Sequence, residues 1–115
     1  MLMHDKFILH KKTYELLIWI YPIINRIPKS HRLVLGRKLE EIGLDLLLTI
    51  IKANKARGKN RLQLQLQYSE HLDTLRILIR LTKDLKMMSI KQYTLTAKRI
   101  NELGRMLSVW MKVIT

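Results

Sequence analysis

Apolar positions recur at helical spacing along most of the chain, in four runs separated by short breaks. The clearest run, over 89–113, carries two seven-residue series. Tyr93, Ile100, Leu107 and Ile114 form one, and Lys91, Lys98, Arg105 and Lys112 form the other. Seven residues are close to two helical turns, so each series draws its own stripe. With the Tyr93 series at position a of a heptad, the basic series falls at position f, pointing away from the packing seam. Ala97, Leu103, Gly104, Trp110 and Met111 widen the apolar side, and Ser89 is placed to cap the first turn. One helix thus shows a packing face and a cationic face.

The first run predicts a helix over 5–27, with Asp5 as N-cap and Phe7, Leu9, Tyr14, Leu17, Ile18, Tyr21 and Ile24 at helical spacing. Pro22 inside it should kink the helix or start a looser final turn. Pro28 disfavours helical geometry at Ile27 and ends the element, and Ser30 is positioned to cap the next. The second helix is predicted over 31–57, with Leu35, Leu39, Ile42, Leu46, Ile50 and Ala53 as its core stripe. Leu44, Leu47, Leu48 and Ile51 make its middle apolar nearly all round. That excess calls for burial on more than one side, hence for self-association. Gly36 and Gly43 leave room for close helix approach.

Gly58, after Lys55 and Arg57, marks a helix end. The following Arg61–Ser69 stretch alternates Leu62, Leu64 and Leu66 with Gln63, Gln65 and Gln67, a two-residue period that suits a strand. Leu and Gln are good helix formers, however, and no other segment could pair with such a strand. The prediction is therefore a third helix over 60–87. Leu75, Leu78, Leu81 and Leu85 would be its core side, and Arg76, Arg80 and Lys83 its outer side, partly neutralised by Asp73 and Asp84. The fourth helix spans 89–113. Short connections imply antiparallel neighbours, so the fold class is all-α: a single up-down-up-down four-helix bundle over 1–115.

The 115 residues carry a net charge of +13 and no cysteine. Divided at its turns, the chain carries +3 over 1–29, 30–58 and 59–87, and +4 over 88–115, with five or six basic residues against one to three acidic in each quarter. The folded body, not a tail, holds the excess. Polyanions are the leading partner class, with a merely basic protein as the plain alternative. Lack of cysteine removes disulfides, thiolate metal sites and thiol nucleophiles. The N-terminus lacks the apolar core of a signal peptide, and the run Ile42–Ile51 is too short to span a membrane, so a cytoplasmic protein is expected.

No catalytic or cofactor-binding pattern stands out. His4, His10, His31 and His71 show no metal-ligand spacing, so neither a metal nor a cofactor is expected. Glu40, Glu41 and Asp45 beside Arg37 and Lys38 look like a salt-paired solvated face. Tyr14, Trp19, Tyr21, Tyr68, Tyr93 and Trp110 all fit apolar stripes and are expected in the core. Nucleic-acid binding would then rest on phosphate contacts from Arg76, Arg80, Lys83, Lys91, Lys98, Arg105 and Lys112. The competing readings are a bundle that meets an acidic protein and ignores nucleic acid, or a membrane-surface protein. The latter would need apolar faces that bundle packing uses up.

An aromatic-rich first helix ending at Pro28-Lys29, the junction RLVLGRKLE with Gly36, the segment LRILIRLTKDL, and the ending INELGRMLSVWMK occur in that order. Together they resemble the accessory variability determinant (Avd) proteins of diversity-generating retroelements and the related four-helix proteins of ribosomal-RNA intervening sequences. The resemblance implies a non-catalytic basic bundle assembling into a ring-like homo-oligomer, a pentamer. It further implies binding to the element's reverse transcriptase and its RNA or DNA, in support of mutagenic cDNA synthesis and retrohoming. The intervening-sequence relatives imply instead a protein-interaction module. Where that family often has a Gly-Gly pair before the tryptophan, this chain has Ser108-Val109.

Overall fold

The structure, a computed structural model, describes residues 2–113, with side chains from Phe7 onward. Helix α1 is Leu2–Asn25. A first turn Lys29–His31, a π-helical turn Arg32–Gly36 and a regular body Arg37–Lys55 follow without a break and together make α2. Helix α3 is Gly58–Asp84 and α4 is Ile90–Met111. The described residues contain no strand, so the Leu–Gln alternation is helical as predicted.

Contacts on three of the four neighbouring pairs run in opposite directions along the two helices, and the two-residue connection from α2 to α3 turns the fourth pair back in the same way. On α1 and α2, Leu17 lies against Gly43 and Tyr21 donates to the Glu40 carbonyl. On α1 and α4, Lys12 meets Glu102 and Trp19 donates to Thr96. On α3 and α4, Arg61 lies over Trp110 and Lys83 over Tyr93. Each helix touches the two beside it, α4 closing back on α1, and the result is the predicted antiparallel four-helix bundle, 46 × 24 × 19 Å.

Leu9, Leu16, Ile20 and Ile24 of α1 meet Leu39, Leu46 and Ile50 of α2, Tyr68, Leu72 and Leu75 of α3, and Ile100, Leu107 and Trp110 of α4. Across the diagonal, the Tyr68 phenol lies 2.6 Å from Thr13 Oγ1. The Thr13 hydroxyl proton is directed at the Leu9 carbonyl, 2.7 Å away, so the phenol is the donor between them. Gly43 matters because a Cβ there would stand 2.7 Å from Leu17 Cδ2; its absence lets α1 and α2 approach.

Several boundaries differ from the sequence-based expectation. Helix α1 begins at Leu2, so Asp5 lies inside the helix, past its first residue. Pro22 interrupts nothing through Asn25: both Pro22 and Ile18 are exposed, so the carbonyl that loses its donor faces water. The final turn is tighter, not looser, closed by Arg26 N–H to Ile23 O and Ile27 N–H to Ile24 O. Ser30 caps nothing. The helix starts two residues earlier, with Pro28 at the N-cap and its carbonyl accepting from His31 and Arg32. Gly58 opens α3 with φ +57 instead of closing α2, which ends at Lys55. Ser89 does cap α4, in a reciprocal capping box with Gln92. Ile114 lies outside the described residues.

Helix α3 stops at Asp84, three residues earlier than predicted, without a glycine. Met87 N–H donates to Thr82 O and Lys86 N–H to Lys83 O, a Schellman closure that forces Lys86 into left-handed backbone at φ 62. A lysine there carries a steric cost of about 1 kcal/mol that glycine does not. Lys86→Gly should therefore raise stability by up to ~1 kcal/mol, measured as a higher urea midpoint with an unchanged slope.

The largest correction concerns which side of α3 is inside. Its buried residues are Gln65, Tyr68, Leu72, Leu75, Ile79 and Thr82. Of the predicted stripe only Leu75 is fully buried: Leu78 is half-buried, while Leu81 and Leu85 are 43% and 51% exposed. Polar residues occupy the core face because they satisfy themselves locally; Thr82, for example, donates to the Leu78 carbonyl at 2.7 Å.

Candidate nucleic-acid interface

Helix α4 turns Thr96, Ile100, Leu103, Leu107 and Trp110 inward, so Lys91, Lys98, Arg105 and Lys112 all stand exposed on its outer side, as the heptad spacing predicts. A straight helix drifts about 20° per heptad against a strict seven-residue repeat. The stripe therefore does not stay over one groove. Lys98 borders the α1–α4 groove with Lys12, Arg99 and Glu102, whereas Arg105 and Lys112 border the α3–α4 groove with Asn101, Gly104 and Ser108. Lys91 lies in the first turn, near neither of these grooves' lining residues.

Two of the three predicted α3 cations, Arg76 and Lys83, are not on the side of α3 that faces away from the bundle. Rotation of the core face brings Arg76 and Lys83 to the α4 seam, where both are half-buried. Arg76 Nη1 reaches Asp73 Oδ1 at 2.7 Å and its Nε donates to Asn101 Oδ1 at 3.3 Å. Its guanidinium thus lies in the same shallow groove as Arg105 and Lys112, over Gly104, where a Cβ would stand 3.7 Å from Nη2. Lys83 Nζ lies 3.1 Å from Asp84 and 4.6 Å from the centre of the Tyr93 ring. Arg80 is exposed and 3.8 Å from Asp84. Of the seven cations singled out from sequence, the fold gathers Arg76, Arg105 and Lys112, and spreads the other four along α3 and α4.

Sequence reasoning passed over Arg61 and Arg99. Arg61 lies 5.5 Å from the Trp110 ring centre, and Arg99 lies 5.4 Å from that of Trp19. Arg99 follows Lys98 directly, and a basic pair on a helix otherwise read by heptads was the available signal. The aromatic residues divide. Trp110 and Tyr68 are buried; Trp19, Tyr21 and Tyr93 are half-buried; Tyr14 is 54% exposed, contrary to the core expectation. Tyr14 is remote from the α3–α4 groove, on α1, so stacking of bases on aromatics does not come with the gathered cations.

The two tyrosines with displaced acidity are held by the fold. Burial pushes the Tyr68 phenol well up, and burial, with Glu40 nearby, raises that of Tyr21. His10 and His71 are half-buried and His31 is exposed; the described residues contain no group of three His, Cys, Asp or Glu able to hold a metal. Lys38 lies 3.9 Å from Glu41 in the acidic cluster of α2, both more than half exposed, as a solvated ion pair. The described residues include no helix long and apolar enough to cross a membrane.

No curated protein matches the sequence. The bAvd-like family, in contrast, matches over residues 7–114, which takes in all four helices and both basic grooves. The chain is therefore a member of the bAvd-like family.

Proposed function

We propose that this protein is a non-catalytic accessory factor of a diversity-generating retroelement, acting in the cytoplasm. In this reading it binds the element's reverse transcriptase and its RNA or DNA, as a ring-like homo-oligomer of five subunits, and supports mutagenic cDNA synthesis and retrohoming. Family membership supports the accessory role. The observation that carries the nucleic-acid part is the gathering of Arg76, Arg105 and Lys112 in one groove of a chain with net charge +13. Such a groove suits phosphates: guanidinium and ammonium groups neutralise the backbone and release counterions, with little reading of base sequence.

Arg105→Glu with Lys112→Glu tests this, because both side chains are exposed and neither has an ion pair among the described residues. Arg76 is left in place, since its bond to Asn101 ties α3 to α4. Affinity for labelled RNA and DNA oligonucleotides should fall by at least ~10-fold at low salt. The slope of log affinity against log salt should flatten by about two units, one per lost phosphate contact. Unchanged affinity would remove the groove from the reading. Co-purification with the reverse transcriptase after nuclease treatment tests the protein partner separately; loss of the complex on nuclease treatment would leave only shared nucleic acid.

A further inference from the structure

In the α3–α4 groove, every polar side chain left to a ligand can donate. The guanidinium of Arg76 has no acceptor, so the Asn101 atom that it meets at 3.3 Å is Oδ1, which leaves the Nδ2 protons of Asn101 for a ligand. Arg76 uses Nε on Asn101 and Nη1 on Asp73, so its Nη2 protons remain, held over Gly104. Exposed Ser108 adds a hydroxyl, and exposed Arg105 and Lys112 add cations that have no ion pair among the described residues. Among the described residues, no carboxylate lines this groove.

Carboxylates stand around it instead. On the α3 side Asp73 is held by Arg76, and further along the seam Asp84 is held by Arg80 and Lys83. On α4 the acid is Glu102, turned to the α1 side against Lys12. A row of phosphates running the length of the seam would therefore meet both signs of charge. A compact anion set among Asn101, Arg105 and Ser108 meets donors alone.

We infer that this groove takes a polyphosphate: the triphosphate at the 5′ end of an RNA, or that of a free nucleotide. The inference rests on the nucleic-acid reading above and names the group that the same groove takes. A phosphodiester inside a strand offers a single charge and its two free oxygens. A terminal phosphate carries about −1.5 to −2 and offers a third acceptor oxygen, and a triphosphate places further charge beside it. Guanidinium forks suit such oxygens, and Arg76, already held in place, loses little freedom in binding them. Asn101 and Ser108 add bonds without adding charge, which favours the ligand with the most acceptors per unit length.

Fluorescence anisotropy tests this with one labelled RNA sequence made with a 5′-triphosphate, a 5′-monophosphate or a 5′-hydroxyl. The triphosphate form should bind at least ~10-fold more tightly than the hydroxyl form, with the monophosphate between them. Asn101→Ala and Ser108→Ala leave net charge unchanged. Each should cut that preference by ~5-fold or more while the affinity for hydroxyl-ended RNA stays as in the parent. Ser108→Ala decides the matter should Asn101→Ala, which releases Arg76, fail to fold by circular dichroism. Displacement of the triphosphate-ended RNA by an equal concentration of ATP would assign the groove to free nucleotide. Resistance to ATP, with displacement by unlabelled triphosphate-ended RNA, would assign it to the strand end. Equal binding of all three forms, or a triphosphate preference that survives both substitutions, would overturn the inference and leave nucleic-acid binding standing. Failure to bind any of the three would overturn both.

Discussion

Trp110→Ala should lower the stability of the bundle by about 3–5 kcal/mol, the range for removing a large aromatic from a packed core. Trp110 is 2% exposed and is among the largest fully enclosed side chains in the molecule. It closes the end of the core formed by the last turns of α4 and the first turns of α3, and Arg61 covers its ring at 5.5 Å. Alanine would open a cavity and uncover the Arg61 stem together. Against the ~5–15 kcal/mol typical of natural domains, such a loss leaves a marginal fold. Urea unfolding should show it as a large fall in midpoint, and heating as a drop in Tm on the order of 15 °C. Trp110→Phe should cost clearly less, because most of the volume stays. A Trp110→Ala protein as stable as its parent would mean that this end of the core is loosely packed.

The four helices and their antiparallel order were legible because each has a long apolar period and the breaks between them are marked by Pro28, Gly58 and Ser89. Helix α4 was the most legible: Ser89 caps it, its a-position residues Ile100 and Leu107 are buried, and its basic stripe is exposed. Helix α3 was misread through its abundance of leucine. A core stripe was assigned to Leu78, Leu81 and Leu85, whereas Gln65, Tyr68 and Thr82 face inward. Residue polarity is a poor guide where a hydroxyl can bond to its own helix, as Thr13, Thr82 and Thr96 all do four residues back. The error propagated to the candidate site. Turning α3 the right way moves Arg76 from the outer surface to the α4 seam, where it meets Arg105 and Lys112 across Gly104.

Neither the π-helical turn Arg32–Gly36 nor the glycine-free end of α3 had any signal in residue pattern, because both are settled by how chain ends pack. The excess apolar surface of α2 was legible, and Leu44 and Leu48 are indeed exposed in the single chain. Its counterpart on α3 was invisible, since those leucines had been assigned to the core. A helix apolar on two sides can be oriented only by knowing what its neighbours bury.

Thr13→Val and Tyr68→Phe should be strongly non-additive. Both residues are 0% exposed, and they join α1 to α3 across the bundle. Thr13→Val leaves the Tyr68 hydroxyl enclosed with no acceptor, at a cost of about 2 kcal/mol. Tyr68→Phe orphans no donor, because the Thr13 hydroxyl keeps the Leu9 carbonyl, and should cost only ~1 kcal/mol. The double variant has no stranded group, so its loss should fall short of the sum of the singles by about 1–2 kcal/mol. Urea unfolding of the four proteins measures the coupling, and simple additivity would show that the bond contributes nothing. The same phenol has an alkaline signature. Burial holds it protonated above its ordinary value of 10.0, so the unfolded chain releases this proton first. Its share of stability is intact below pH 10 and is lost as pH rises beyond it. Tyr68→Phe should therefore lose stability less steeply than the parent above that pH, although lysines deprotonate in both. Parallel alkaline profiles would mean that Tyr68 ionises as readily folded as unfolded, which an enclosed phenol cannot do.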